Sequence, residues 1–220
     1  MTARPLIVID LDNTFVDYTT AFKECLEQMG YDGYADAPDP SDYSFACDGW
    51  FEDEGTFFPL HQRAVELGLY LRERPYPHAP EALDDLRHGG FRIVLATSRC
   101  DDQEDTDRWL CGMGFEGGGR LNDLAECNTD FATIVRDRWT AWLGWCHAFD
   151  KTDLGADVTV EDNPHTLDRL MDKKMRVLVK RHAYNLPQCE RAEQSGLGLA
   201  FDDWTQVPAL AKRLVKENAK

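Results

Sequence analysis

The sequence predicts an α/β protein whose core is a doubly wound, Rossmann-like parallel sheet, with a small, mostly helical insertion after its first strand. Four short apolar runs rich in β-branched residues, RPLIVI (4–9), FRIVLA (91–96), DVTV (157–160) and RVLV (176–179), alternate with stretches of helical period. That alternation is the pattern of parallel strands with helices crossing between them. Three of the runs stop abruptly at polar residues. A buried parallel strand reads this way where it reaches the edge at which open α/β sheets bind ligands.

From the N-terminus, the first run stops at Asp10. A helix is predicted from Asp17 to Met29, with Phe22, Cys25, Leu26 and Met29 on one face and Gly30 as its stop. Residues 31–58 are dense in Gly, Pro, Asp and aromatics and show no clear period. A second helix is predicted from Pro59 to Arg72, before RPYPHAP breaks the chain. The chain therefore divides into a core, 1–16 and 76–220, and an inserted cap, 17–75. Within the core, a helix over 80–88 ends at Gly89-Gly90, strand 91–96 leads into a polar loop at Thr97, and a helix covers 103–112. Strand 157–160 gives way to Glu161-Asp162, Pro164 opens a helix over 164–172, strand 176–179 follows, and a last helix spans 206–216. Residues 113–150 fit this rhythm worst. GMGFEGGGR reads as a flexible joint, and an insertion is expected around 116–146. Trp139, Trp142 and Trp145, three apart, suit a packed helix face; exposed, they would mark a partner or homodimer surface.

The 220 residues are 43% hydrophobic and 11% aromatic, enough for a sizeable core. Forty acids against 24 bases leave a formal net charge of −16. Such a surface repels DNA, RNA and anionic lipid, so neither a nucleic-acid polymer nor a membrane is the expected partner. No run approaches the roughly 20 apolar residues a membrane span needs. MTARPLIVIDLD has acids directly after its apolar stretch and no small-residue cleavage site, so the expected location is the cytoplasm. The seven cysteines are scattered, form no CxxC pair, and read as reduced, mostly half-buried thiols.

The chemistry is concentrated at three strand ends: Asp10-Leu11-Asp12-Asn13-Thr14, Thr97-Ser98-Arg99 and Glu161-Asp162-Asn163. A doubly wound sheet brings such ends to one crevice. Carboxylates gathered there oppose one another's ionisation, and a divalent cation relieves that; oxygen ligands at a crevice suit Mg²⁺. A phosphate in an acidic protein needs a further local cation. Of the eight lysines, Lys151 alone lies between the second and third strand ends, and it is the candidate to hold a phosphoryl oxygen beside Asp10. Each residue also has an ordinary structural role open to it. Asp10 and Asp12 suit a turn, Thr97 a helix cap, Glu161-Asp162-Asn163-Pro164 a helix start and Lys151 a surface. Their joint occurrence, in order and at one edge, favours a site.

DLDNT (10–14), IVLATS (93–98), Lys151 and VEDNP (160–164), in that order, resemble the four motifs of the haloacid dehalogenase superfamily of phosphatases. DLDNTFVDY, PYPHAPEAL, KTDLGADVTVEDNP and VLVKRHAYN further resemble its 5′(3′)-deoxyribonucleotidase branch, over roughly 5–18 and 75–187 without 116–146. In the cap only GTFF (55–58) is similar. The resemblance implies a haloacid-dehalogenase-type core and an Mg²⁺-dependent phosphomonoester hydrolase working through an aspartyl-phosphate. Asp10 would be the nucleophile and Asp12 the acid, then the base. Thr97 would bond a phosphoryl oxygen, and Lys151 would neutralise charge beside Asp10. Asp10, Asp162 and the Asp12 backbone carbonyl would bind Mg²⁺, with Glu161 in support. Asp12, two residues after the nucleophile, points to phosphate rather than carbon–halogen chemistry.

Between Asp17 and Phe58 the cap holds eleven acids and one base, and residues 31–58 contain eight aromatics. The acids disfavour a polyanion and the aromatics allow stacking on a base, so a small phosphomonoester, a (deoxy)nucleoside monophosphate above others, is the expected substrate. Asn13, Ser98, Arg99 and Phe57 are candidate substrate contacts. His182, Tyr184 and Asn185 would lie at the rim or form a plain surface turn. Two alternatives stand beside this reading: a phosphatase of a sugar phosphate or other small metabolite, and a non-catalytic binding or scaffold protein.

Overall fold

The computed structural model describes residues 4–45, 50–51, 53–99, 103–120 and 143–216. Its centre is a seven-stranded sheet in which every described pairing is parallel. The strands are β1 (Leu6–Asp10), β2 (Arg92–Thr97), β3 (Glu116–Arg120), β4 (Leu143–His147), β5 (Val158–Glu161), β6 (Val177–Lys180) and β7 (Gly198–Phe201), in the order β3-β4-β2-β1-β5-β6-β7. β2, β4 and β3 lie on one side of β1 and β5, β6 and β7 on the other, so the chain changes side at β1. That change of side is where a doubly wound sheet opens its ligand crevice.

Alternation along the central strands sorts their side chains to two faces. Ile7 and Ile9 of β1, Ile93 and Leu95 of β2, and Val158 and Val160 of β5 join one apolar cluster with Phe15, Phe201 and Trp204. Leu6, Val8, Val94 and Ala96 join a second on the opposite face with Cys146 and Leu154. The first face is covered by α4 (Ala79–His88) and the C-terminal α8 (Val207–Lys216); α6 (Pro164–Asp172) and α7 (Leu186–Ser195) pack around β6. Gly198 belongs where β7 meets β6, because a Cβ there would stand 2.4 Å from the Val177 carbonyl oxygen.

Each of the four predicted strands takes in the polar residue that was expected to follow it: Asp10, Thr97, Glu161 and Lys180 are ladder members. The side chains at the crevice are therefore fixed by sheet register, with Asp10 beside Ala96 and Thr97 beside His147.

Four sequence expectations are corrected. Residues 116–120 and 143–147, read as parts of an insertion, are β3 and β4 of the sheet. Their glycines are poor strand formers, and pairing with a neighbour decides the outcome. Trp145 accordingly lies on a strand opposite Leu95, buried in the core, rather than on a helix face; Trp139 and Trp142 lie outside the described residues. The helix predicted over 59–72 is two helices, α2 (Glu54–Glu66) and α3 (Leu69–Arg72), parted by Gly68 at φ +81°. Its start comes earlier because the Asp53 carboxylate accepts from the Thr56 N–H at 2.8 Å, which leaves Pro59 inside the helix. The β7–α7 unit lacked any clear periodic signal. Cys25, Cys146 and Cys189 are fully buried rather than half-buried, and Cys111 is exposed.

The segment after β1 builds its own apolar cluster. α1 (Tyr18–Gln28), capped by the Asp17 carboxylate on the Thr20 N–H, contributes Phe22, Cys25 and Leu26, which pack against Phe45, Trp50, Phe51 and the buried faces of α2 and α3. Chain exit and return run side by side. The Asp17 N–H donates to the Arg74 carbonyl, and the Tyr76 N–H to the Phe15 carbonyl, both at 2.9 Å. Among the described residues no helix is long and apolar enough to cross a membrane.

Candidate active site

The ends of β1 and β5 bring three carboxylates together. Asp10, Glu161 and Asp162 are all buried, each with a carboxylate oxygen within 4.8 Å of those of the other two. Lys151 reaches them from a short 3-10 turn, Lys151–Leu154, that closes on Gly155 in the left-handed region at φ +60° just ahead of β5. Its ammonium donates to the Asp10 carboxylate and, at 2.7 Å, to Glu161 Oε2. Glu161 Oε1 accepts the backbone N–H groups of Asp162 and Asn163, at 3.1 and 3.0 Å. Both Glu161 oxygens are thus committed to holding Lys151 and the turn after β5. Asp162 Oδ1 accepts from the Thr14 hydroxyl and Oδ2 from the Tyr184 hydroxyl, both at 2.6 Å.

One ammonium among three buried carboxylates leaves an excess of negative charge. Burial, then Glu161, pushes the Asp10 carboxyl up to about 7 against the pull of Lys151. Burial and Asp10 likewise raise Asp162 to about 7, and burial raises Glu161. Burial opposes the charge on Lys151, but Asp10 and Glu161 outweigh it and hold the ammonium protonated. The donor set fits a hard divalent cation: compact, all oxygen, and short of positive charge. Asp10 and Asp162 are the residues that would hold it: Asp162 accepts only two neutral hydroxyls and one Asp10 oxygen is clear of Lys151, whereas Glu161 already accepts the Lys151 ammonium and two backbone N–H groups.

Asp12 stands apart. Burial pushes its carboxyl up, but the Arg99 guanidinium outweighs this and holds it below the usual carboxylate range. Arg99 Nε lies 3.1 Å from both Asp12 oxygens, and its NH2 group bonds Asp12 and Glu73. Thr97, at the end of β2, is buried; its Oγ1 accepts the Arg99 N–H at 3.2 Å. Asn13 sits in the left-handed region at φ +55°. Its side-chain oxygen accepts the N–H and hydroxyl of Thr19, both at 3.0 Å, and its carbonyl pairs with His182 Nε2 at 2.7 Å. Asn13 thus shapes the turn that aims Asp12.

Asp12, Asn13, Arg99 and Asp162 line a cavity of about 440 Å³ between the strand ends and the inserted segment, with Asp10, Thr97, Lys151 and Glu161 buried behind its lining. Asp12, Ser98, Arg99 and Asp162 form its polar floor; Tyr18, Phe45, Phe57 and Tyr70 are among its walls, and the exposed Phe58 stands at its mouth. Phe57 stacks on His61 with ring centres 5.6 Å apart, and the Tyr18 hydroxyl meets His61 Nδ1 at 2.9 Å. Of the proposed rim residues, Tyr184 and Asn185 act inside the site. Asn185 Nδ2 donates to the carbonyls of Asp162 and Lys180, and its side chain is fully buried. Sequence reasoning placed Thr14 in the first polar strand end without giving it a role, and passed over Tyr70, Glu73 and His61. Thr14, two residues past Asp12 in a polar strand end, carried a usable signal; the others lie in a segment without one.

Fold and site together define the chain as an α/β protein with the fold of the haloacid dehalogenase-like hydrolases. Among solved structures, a haloacid dehalogenase-like family hydrolase from Streptococcus pneumoniae superposes with a TM-score of 0.55 at 12% identity, covering 95% of this chain and 99% of that one. A protein from Clostridium difficile gives 0.54 at 13% identity, covering 98% and 100%. A haloacid dehalogenase-like family hydrolase from Xanthomonas campestris gives 0.50 at 15%, covering 99% and 98%. In sequence, 43 residues are 42% identical to a phosphoglycolate phosphatase from Nitrosospira multiformis, a match spanning 20% of this chain and 19% of that protein. No family model matches the chain.

Proposed function

We propose that the protein is a Mg²⁺-dependent phosphomonoester hydrolase that works through an aspartyl-phosphate on Asp10. The observation that carries this reading is the Lys151–Asp10–Glu161–Asp162 cluster, a buried nucleophile beside a fixed ammonium and a donor set suited to a divalent cation. The bound cation would supply positive charge against the phosphoryl oxygens and keep Asp10 ionised. An Asp10 oxygen attacks phosphorus while the bond to the ester oxygen breaks, and Asp12 delivers a proton to that leaving oxygen. Asp12 then takes a proton from water, whose oxygen attacks the acyl phosphate and frees Asp10 and phosphate. Lys151 offsets charge on the transferring group, and Thr97 donates to one of its oxygens. Arg99 keeps resting Asp12 ionised, ready for the second, proton-accepting step. The proton for the first step arrives with the substrate, whose phosphate titrates near pH 6, at about pKa 6.

The preferred substrate is a (deoxy)nucleoside monophosphate. A cavity of about 440 Å³ walled by aromatic side chains accommodates a base and sugar, and Phe57 is the stacking candidate. The acidic inserted segment acts as the cap that excludes water and rejects polyanions, and the enzyme works in the cytoplasm as a soluble protein. A second reading, a phosphatase of a small carboxylated or sugar phosphate, is favoured by the 43-residue match to a phosphoglycolate phosphatase. Phosphate release is to be measured on nucleoside and deoxynucleoside 5′- and 3′-monophosphates, sugar phosphates and phosphoglycolate, with Mg²⁺ and with EDTA. Preference for deoxynucleotides, lost in EDTA, supports the first reading. Turnover of only the small phosphates replaces it with the second, and silence from folded protein overturns both.

A further inference from the structure

The structure assigns Arg99, Glu73 and Tyr70 as positioning residues that set the aim of Asp12 and tie it to the seating of the inserted segment. The inference rests on the phosphatase reading, in which Asp12 carries the proton.

Arg99 is held on every side. Its Nε and NH2 bond Asp12, its NH2 bonds Glu73, its NH1 lies 3.3 Å from the Thr106 hydroxyl, and its guanidinium carbon sits 4.0 Å from the centre of the Tyr70 ring. Its carbonyl meets His147 Nδ1 at 3.1 Å, which pins the backbone to the end of β4. The Arg99 side chain is 2% exposed and that of Glu73 fully buried, whereas Asp12 is 35% exposed. Asp12 and Arg99 both line the cavity floor, and of the three side chains Asp12 is the one with substantial exposed surface. Arg99 does not offer a loose charge for substrate; its fork is occupied, and what it presents to the cavity is an oriented carboxylate.

Two of the groups that fix the guanidinium, Tyr70 and Glu73, belong to α3 and the residue that caps it. α3 packs against α5 (Gln103–Gly112) of the core, and Thr106 of α5 is the remaining side-chain partner of Arg99. A shift of the inserted segment moves Tyr70 and Glu73, and the guanidinium and Asp12 must follow. Displacing a proton donor by an ångström costs on the order of 10²-fold in rate.

Arg99→Lys keeps the charge and loses the planar fork; Glu73→Gln keeps the shape and replaces a carboxyl oxygen with an amide NH2 group beside Arg99. Both are compared with Asp12→Ala on two esters: p-nitrophenyl phosphate, whose leaving group departs with little protonation, and an alkyl phosphomonoester that the parent hydrolyses. Single-turnover cleavage of the alkyl ester is expected to fall on the order of 10²-fold in both positioning variants, with release of the first p-nitrophenol changing by less than about threefold. Neither substitution should slow Asp12→Ala further, since both act through that carboxylate. Equal losses on the two esters in folded variants, or losses that add to that of Asp12→Ala, overturn the assignment. If Asp12→Ala itself loses equally on both esters, it is the proton-carrier reading of Asp12 that fails. Should Arg99→Lys not fold, Glu73→Gln carries the same test.

Discussion

Lys151 and Arg99 are both buried cations, each held between two carboxylates, and they serve the two aspartates of one DLD sequence. Lys151 lies between residues locked in neighbouring strands, Asp10 and Glu161. Arg99 lies between a loop residue, Asp12, and Glu73 of the inserted segment. The electrostatic outcomes are opposite. A single ammonium divided among close acids leaves Asp10 raised to about 7, whereas the guanidinium fork outweighs burial at Asp12 and depresses it. Two carboxylates two residues apart thus acquire different proton affinities because one is served by a shared point charge and the other by a directed fork. The first cluster is built on two neighbouring strands and is short of positive charge; the second pairs one guanidinium with Asp12 and Glu73, leaves Glu73 Oε1 without a partner, and answers to the inserted segment.

The sharpest break of the comparison is at Asp10. Asp10→Asn is expected to abolish turnover in steady-state assays while the protein stays folded by circular dichroism, since the amide cannot attack phosphorus and Lys151 keeps Glu161. Next comes Lys151→Met, which strands Asp10 and Glu161 without their cation. Breaking a buried pair from one side costs about 3–5 kcal/mol, readable in urea unfolding. Arg99→Met should cost less, because Asp12 retains contact with solvent and burial already favours the uncharged form of Glu73. Thr97→Val is expected to lower kcat about 10²-fold, the loss of one donor to the transferring group, and to cost about 1–3 kcal/mol because the buried Arg99 N–H loses its acceptor.

A last test separates the clusters by pH. Asp10 and Asp162 bind a proton more tightly folded, near 7, than unfolded, near 3.8. Their contribution to stability is complete at acid pH and is lost as pH rises through about 7. Metal-free protein should therefore lose thermal stability from these two groups over that interval, and Asp162→Asn should flatten the slope. Mg²⁺, which binds the ionised pair, should stabilise increasingly as pH rises. A slope unchanged by Asp162→Asn would assign it to other groups.

Most of the first cluster was legible before any coordinates. Apolar runs that stop at an acid announce strand ends, and Asp10, Glu161 and Asp162 met as expected because parallel pairing leaves those ends little choice. Lys151 could be picked out because lysine is scarce between the relevant strands. The second cluster was only half legible. Arg99 follows Thr97 and was an obvious polar candidate, but its partners Glu73 and Tyr70 sit in RERPYP and LYLR, where nothing local distinguishes them. β3 and β4 were missed for a related reason, since EGGGR and LGWCH hold their strand form by pairing rather than by propensity.

The sequence by itself determined the α/β core, the polar strand ends and the two aspartates, because periodicity and abrupt changes of polarity are local signals. The tertiary structure alone decided which cation each aspartate meets, how exposed its carboxyl is, and therefore which of them binds its proton tightly. Those properties depend on groups dozens of residues away, Arg99 for Asp12 and Lys151 for Asp10. Charge–charge energies are set by distance and burial, and neither is written in the order of the residues.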